Sequence, residues 1–307
     1  MISRVAHDAG VRALAIKGPI LAEQRLRSSR IQSIDIDVLI PPSERDRFLR
    51  VLSAQGWHDQ QAPDKGSILG SHAVSLANVR WPAELDVHVN FPGMLEDSET
   101  VFRELWRRRV TEVVGGGPVI ASDPASSAII AGLHLCRDGD QDGLTDLAGR
   151  IACVLSDQMR SDLKSLAANV GAMETLRPLL EMLGVDAPVA RPSADLELWR
   201  LRVGAPVVGV PLIVDLMRSP WRSAPSVLAR YLNPDDRELG ERFPSEAQSP
   251  RRLNRLRLRR IAVGVISMPR AVIAARSYLW ISIRSRSATL LGRLPRPQRS
   301  HSEPPKT

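Results

Sequence analysis

Apolar residues run from Val11 to Ile16 and stop at Lys17-Gly18-Pro19, after which Ile20 to Arg27 carries helical spacing, with Pro19 suited to a first turn. The pattern predicts strand, tight turn, helix. From Ile34 to Ile40 isoleucine and valine alternate with aspartate before Pro41-Pro42 ends the run, which predicts a half-buried strand. Ser43 then stands where a cap belongs, ahead of a helix to about Gln55 with Phe48, Leu49, Val51 and Leu52 on one face and Gly56 at its end. Ala73 to Val79 and Ala83 to Val89 read as strands joined by Arg80-Trp81-Pro82. Val110 to Val114 and Pro118 to Ala121, around three glycines, read as another short β pair.

At Ser122 the texture changes. Asp123-Pro124 opens a helix through Leu135, and apolar spacing of three to four recurs over 144–155, 163–170 and 176–183. Helical patches broken by prolines continue to about Arg242, after a Pro-containing loop at 184–193. The fold class is therefore α+β. A mixed β-sheet with flanking helices is expected over 1–121, a helical domain over 122–245, and a basic extension, partly helical or disordered, over 246–307.

The chemistry concentrates at Asp35-Ile36-Asp37. On a strand, residues i and i+2 share a face, so both carboxylates point one way while Ile34, Ile36 and Val38 point the other. Two like charges held side by side repel unless a cation or a proton is shared between them. A second strand carries Glu84, Asp86 and His88 on one face. If it neighbours the first, Asp86 completes a three-carboxylate cluster of the oxygen-rich kind that suits Mg²⁺.

Ala15-Ile-Lys-Gly-Pro-Ile-Leu-Ala22, Arg30, Ile34-Asp-Ile-Asp-Val-Leu-Ile40, Gly56-Trp57 and Glu84-Leu-Asp-Val-His88 together resemble the uncharacterised nucleotidyltransferase family of the DNA polymerase β-like superfamily. Leu133-His134 and Thr145-Asp146-Leu147 resemble its helical continuation. The resemblance implies an NTP clamped by two Mg²⁺ ions while an acceptor hydroxyl attacks the α-phosphate and pyrophosphate leaves. It implies that Asp35, Asp37 and Asp86 bind the metals, with Asp86 also taking the proton. It implies further that Lys17, Gly18 and Arg30 contact the nucleotide, Gly18 by close backbone approach and the two cations by charge. Lys-Gly stands where most of the superfamily has Gly-Ser, and Val89 stands where the nearer family has an aromatic residue after the histidine. The family also carries a longer helical region ahead of the Lys-Gly turn, so a truncated or wrongly assigned start is expected. A non-catalytic nucleotide-binding or membrane-associated accessory protein of the same fold is the alternative reading.

Charge narrows the partners. Of 42 Lys and Arg and 34 Asp and Glu, the stretch from Arg251 to Thr307 holds 14 and 1, so the tail is +13 and the remainder about −5. Basicity belongs to the appendage, and with aromatics at 4% a nucleic-acid groove is not expected. Leucines and arginines interleave from Arg251 to Arg260 and then run into Ile261 to Ile283. For this stretch an anionic membrane surface met through residues 251–286 is one expectation, RNA contact a second and a flexible tail a third. The apolar runs 203–217 and 261–283 are too short or too interrupted to span a bilayer, and 295–307 is expected to be disordered.

Two lone cysteines, Cys136 and Cys153, suit a reducing compartment, so a cytoplasmic location, with or without peripheral membrane contact, is expected. The aspartates at 138, 140, 142 and 146 lack the spacing of a calcium loop and read as a solvated helix junction. His134 reads as a packed or domain-interface residue and His88 as a candidate contact for metal or substrate.

Overall fold

The computed structural model describes residues 2–28, 35–59, 73–154, 156–189, 191–204, 207–232 and 250–291. The alternating segments assemble into one mixed sheet of seven strands. In chain order these are β1 (Leu14–Ile16), β2 (Asp35–Leu39), β3 (His58–Asp59), β4 (Ala73–Ala77), β5 (Glu84–His88), β6 (Val110–Val114) and β7 (Gly117–Ala121). Across the sheet the order is β3-β4-β5-β2-β1-β7-β6. β2 and β5 are parallel neighbours, β1 runs antiparallel on the other side of β2, and β1 pairs in parallel with β7. Both expected hairpins form, β4 with β5 and β6 with β7. The second turns at Gly115 and Gly116, with φ of 58° and 80°, the double positive φ that a two-residue hairpin loop requires.

β1 starts at Leu14 rather than Val11, because Val11 closes a helix instead. That helix, α1 (Ile2–Asp8), ends at Gly10 with φ 62°, where the Gly10 N–H donates to the His7 carbonyl and the Val11 N–H to the Ala6 carbonyl at 2.8 Å. This pair of bonds is a Schellman stop. The reading of Ser43 as a helix cap is corrected. Pro42 starts a 3₁₀ turn over Pro42–Glu44 that leads into α3 (Arg45–Ala54), and the Ser43 N–H donates to Glu99 Oε1 at 2.7 Å.

Alternation divides the sheet into two faces. One carries Val38, Ile40, Leu85 and Val87 against Ile2 and Val5 of α1, Phe48 and Leu52 of α3, and Trp57. The other carries Leu14, Ile16 and Leu39 into a second cluster with Phe102 and Leu105 of α4 (Ser98–Arg107) and with the helices that follow. Between β1 and β2 lies α2 (Gly18–Glu23), tied down where Gln24 Nε2 donates to the Ser122 carbonyl at 2.7 Å.

The helical half is built on α5 (Pro124–Asp138), which is apolar all round from Ala128 to Leu133 and buried accordingly. Asp123 caps it, accepting from the Ser126 N–H at 3.0 Å. Around it pack α6 (Gln141–Val154), α7 (Asp157–Asn169) and α8 (Arg177–Met182). The α5–α6 junction is solvent-exposed, as read, and it is also capped. Gly139 takes φ 71°, and Asp140 Oδ1 accepts from the Gly143 N–H at 2.9 Å.

Beyond these lie α9 (Ala194–Val203), α10 (Val210–Arg218), α11 (Ala224–Leu232), α12 (Pro250–Ala274) and α13 (Arg276–Leu291). Leu198, Val214, Ala271 and Tyr278 bind this group through a third apolar cluster. The C-terminal stretch is thus helical over 250–291 and packed on α9 to α11, while the disorder expected of 295–307 lies outside the described residues.

Gly93, in the turn after β5, marks a close joint between that loop and the helices. It has φ 98°, its carbonyl accepts from Thr175 Oγ1 at 2.6 Å, and an added Cβ would stand 2.7 Å from Leu133 Cδ2 and 2.9 Å from the Trp199 ring. Gly93→Ala is expected to lower the unfolding free energy by about 2–3 kcal/mol, from strain and overpacking together. Gly116→Ala, at φ 80° with nothing nearby, is expected to cost about 1 kcal/mol. Denaturant unfolding of both variants checks the difference.

Candidate active site

The parallel register of β2 and β5 sets Asp35 opposite Glu84, Asp37 opposite Asp86 and Leu39 opposite His88. Residues paired in this way project from the same face, so the acids of both strands look the same way. On the far side of β5 the antiparallel β4 sets Ser75 opposite Asp86, and Ser75 Oγ donates to Asp86 Oδ1 at 2.5 Å. On the far side of β2, β1 ends with Ile16 opposite Asp37, and Lys17 leaves the strand beside that carboxylate. Lys17 Nζ donates to Asp37 Oδ1 at 2.6 Å. His88 Nε2 lies 2.7 Å from the same oxygen, and Nζ lies 3.5 Å from His88 Nε2.

This is an enclosed place for charge. Asp37 is 4% exposed and His88 1%. Burial works against ionisation of Asp37, yet the hydrogen bond from His88 and the nearby Lys17 ammonium outweigh it and hold the carboxyl below its usual range. Lys17 has φ 55° and ψ −151°, a backbone state that costs a residue with a Cβ about 1–3 kcal/mol. Its ammonium also stands 5.5 Å from the centre of the Phe91 ring, within cation–π range.

The ligand atoms of Asp37, Asp86 and His88 lie within 4.8 Å of one another. Asp35 shares their face at the start of β2 but is not one of these three. Gly18 is buried at the first position of α2 with φ 42°. Arg30 lies outside the described residues. His134, on α5, is only partly buried, and burial together with the charge of Arg137 keeps its imidazole below the usual range. Ser75 and Phe91 were not picked out from the sequence. Ser75 becomes visible once β4 is known to pair with β5 in this register, and Phe91 gives no local sign of its position over Lys17.

The model of the family described as "uncharacterised nucleotidyltransferase" matches residues 1–187. The chain belongs to this family. Three solved structures are similar in outline. The antibiotic-resistance factor ANT(2'')-Ia in solution is 13% identical, over 58% of this chain and 84% of its own, with a TM-score of 0.31. An antigenic nucleotidyltransferase-like protein from Paracoccidioides brasiliensis is 14% identical, over 58% of this chain and 89% of its own, with a TM-score of 0.35. A tRNA nucleotidyltransferase complexed with a primer tRNA and an incoming ATP analog is 12% identical, over 94% of this chain and 100% of its own, with a TM-score of 0.25. No curated protein matches this nucleotidyltransferase-family chain by sequence.

The depressed Asp37 carboxyl has a measurable consequence for this family member. A group whose pKa is lower folded than unfolded stabilises the fold above its unfolded value of about 3.9, and that contribution fades as pH falls through the lower folded value. Between about pH 5 and about pH 3 the wild type is therefore expected to lose more stability than Asp37→Asn. Guanidinium midpoints of the two proteins across that window check it.

Proposed function

We propose that the protein transfers a nucleoside monophosphate from an NTP to a hydroxyl of an acceptor, releasing pyrophosphate, with Mg²⁺ held at the Asp37–Asp86 pair. The observation that carries this reading is the cross-strand register that turns two carboxylates and an imidazole toward one point. Two hard carboxylates with one imidazole fit a small divalent cation. The hydrogen bonds to Asp37 and Asp86 all use Oδ1, so Oδ2 of each takes none among the described residues. Asp37 and Asp86 would hold the ions, with Asp35 supplying further carboxylate oxygen from the same face. Bound there, the metal stabilises charge on phosphoryl oxygens and eases deprotonation of the attacking hydroxyl.

The chain's own groups do the rest. The acceptor oxygen bonds to the α-phosphorus, the bond from that phosphorus to the bridging oxygen breaks, and the hydroxyl proton passes to Asp86. Ser75 holds Asp86 in orientation through its 2.5 Å hydrogen bond. Lys17, paired with Asp37, would give its charge to the triphosphate, and Gly18 beside it would let the phosphates approach the backbone. Arg30 is proposed as a second cation for the same group.

A cytoplasmic setting is supported by the thiols. Both Cys136 and Cys153 are free, and Cys153 is exposed, as thiols of a reducing compartment are.

Purified protein with Mg²⁺, each NTP in turn and a panel of hydroxyl acceptors is expected to release pyrophosphate. Asp37→Asn or Asp86→Asn should cut the rate about a thousandfold, equivalent to ~4 kcal/mol of barrier, and a chelator should stop it. Absence of Mg²⁺-dependent NTP binding in calorimetry would falsify the reading. Tight NTP binding with no turnover on any acceptor would instead favour the non-catalytic accessory protein.

A further inference from the structure

α12 buries one side against α10 and α11 through Leu256, Ala271 and neighbouring residues and leaves the opposite side open. That open side is not polar. Leu258, Ala262, Val265, Ile266, Val272 and Ile273 are all exposed, Val265 by 66% and Ile266 by 77%. Their spacing repeats at three, four and seven residues, so at 3.6 residues per turn they form a single stripe about a third of the way round the helix. Arg251, Arg255, Arg259 and Arg270 are exposed along and beside the stripe, and residues 250–291 contain no acidic side chain. On the next helix Trp280 is exposed as well, with the Arg284 guanidinium 4.1 Å from its ring centre.

We propose that this face of α12 lies on an anionic lipid bilayer, with the aliphatic stripe in the acyl boundary and the arginines at the phosphates. The charge pattern selects this partner. A helix that met another protein through so apolar a stripe would not need a wholly basic border, and a helix that met a polyanion in water would not expose a row of valine and isoleucine between its arginines. Amphipathic helices at the bilayer interface require both together. Among the described residues no helix is long and apolar enough to cross a membrane, so α12 rests on the surface. The stripe from Leu258 to Ile273 offers about 24 Å of contact along the helix, which carries Pro269 inside it. The inference is independent of the nucleotidyltransferase reading, because none of these residues belongs to the site on β2 and β5.

Flotation of the full chain with phosphatidylcholine vesicles, with and without phosphatidylserine, tests it. Binding is expected to be at least about tenfold stronger to the anionic vesicles and to fall as salt rises. Val265→Asp with Ile266→Asp should reduce it about tenfold, as should Arg259→Glu with Arg270→Glu, while thermal melting stays at the wild-type value because all four side chains face solvent. Equal binding to neutral vesicles, or indifference to both double variants, overturns the proposal. So does a dimer in light scattering that Val265→Asp with Ile266→Asp converts to monomer, since a second copy would then be the occupant. Retention of RNA that depends only on the arginines, with no flotation, overturns it in favour of nucleic acid.

Discussion

A carboxylate as enclosed as that of Asp37 stays ionised only where positive charge and hydrogen-bond donors are built around it. In this chain that requirement is met by Lys17 and His88, which converge on one oxygen from the end of β1 and the end of β5. Much of the surrounding architecture follows from the need to hold those three groups together. β1 must end beside Asp37, the backbone at Lys17 must enter a conformation that residues with a Cβ seldom adopt, and β5 must lie next to β2 in a register that brings His88 within reach.

The sheet separates stability from chemistry by alternation. Ile36, Val38, Leu85 and Val87 face α1 and α3 in a dry apolar layer, while their immediate neighbours in sequence face the polar site. A slip of one residue in either strand would send a carboxylate into the first layer and a valine into the second. The second core, shared by β1, α4 and α5 to α8, then backs the other side of the sheet around the site. Gly93 belongs to this joint, because only a residue without a Cβ lets Leu133 and Trp199 close over it.

What was legible in the sequence was whatever has a short period. The Asp-x-Asp alternation, the β4–β5 and β6–β7 hairpins, and the change to helical spacing at Asp123-Pro124 all stood in local pattern and all form close to where it placed them. α1 is hard to read because its seven residues, with Ile2, Val5 and Ala6 as the buried side, are too few to repeat a pattern, and its stop is a backbone arrangement at Gly10 rather than a side-chain cap. At the site, the pairing of Asp37 with Asp86 was legible only as a condition on strand adjacency. Ser75 and Phe91 were not legible at all, since their approach depends on register and on the path of the chain after β5. His88 reads from the sequence as a candidate contact, and its bond to Asp37 is a fact of the third dimension.

The parallel pairing of β2 and β5 also governs when the site can exist. Two adjacent parallel strands cannot be joined by a tight turn, and here α3, β3 and β4 all intervene in the chain. No local fragment can therefore bring the two opposing aspartates face to face. A cation that binds both of them recognises only the finished sheet, so its binding free energy adds to the cooperativity of the whole sheet and gives none to a partly folded chain.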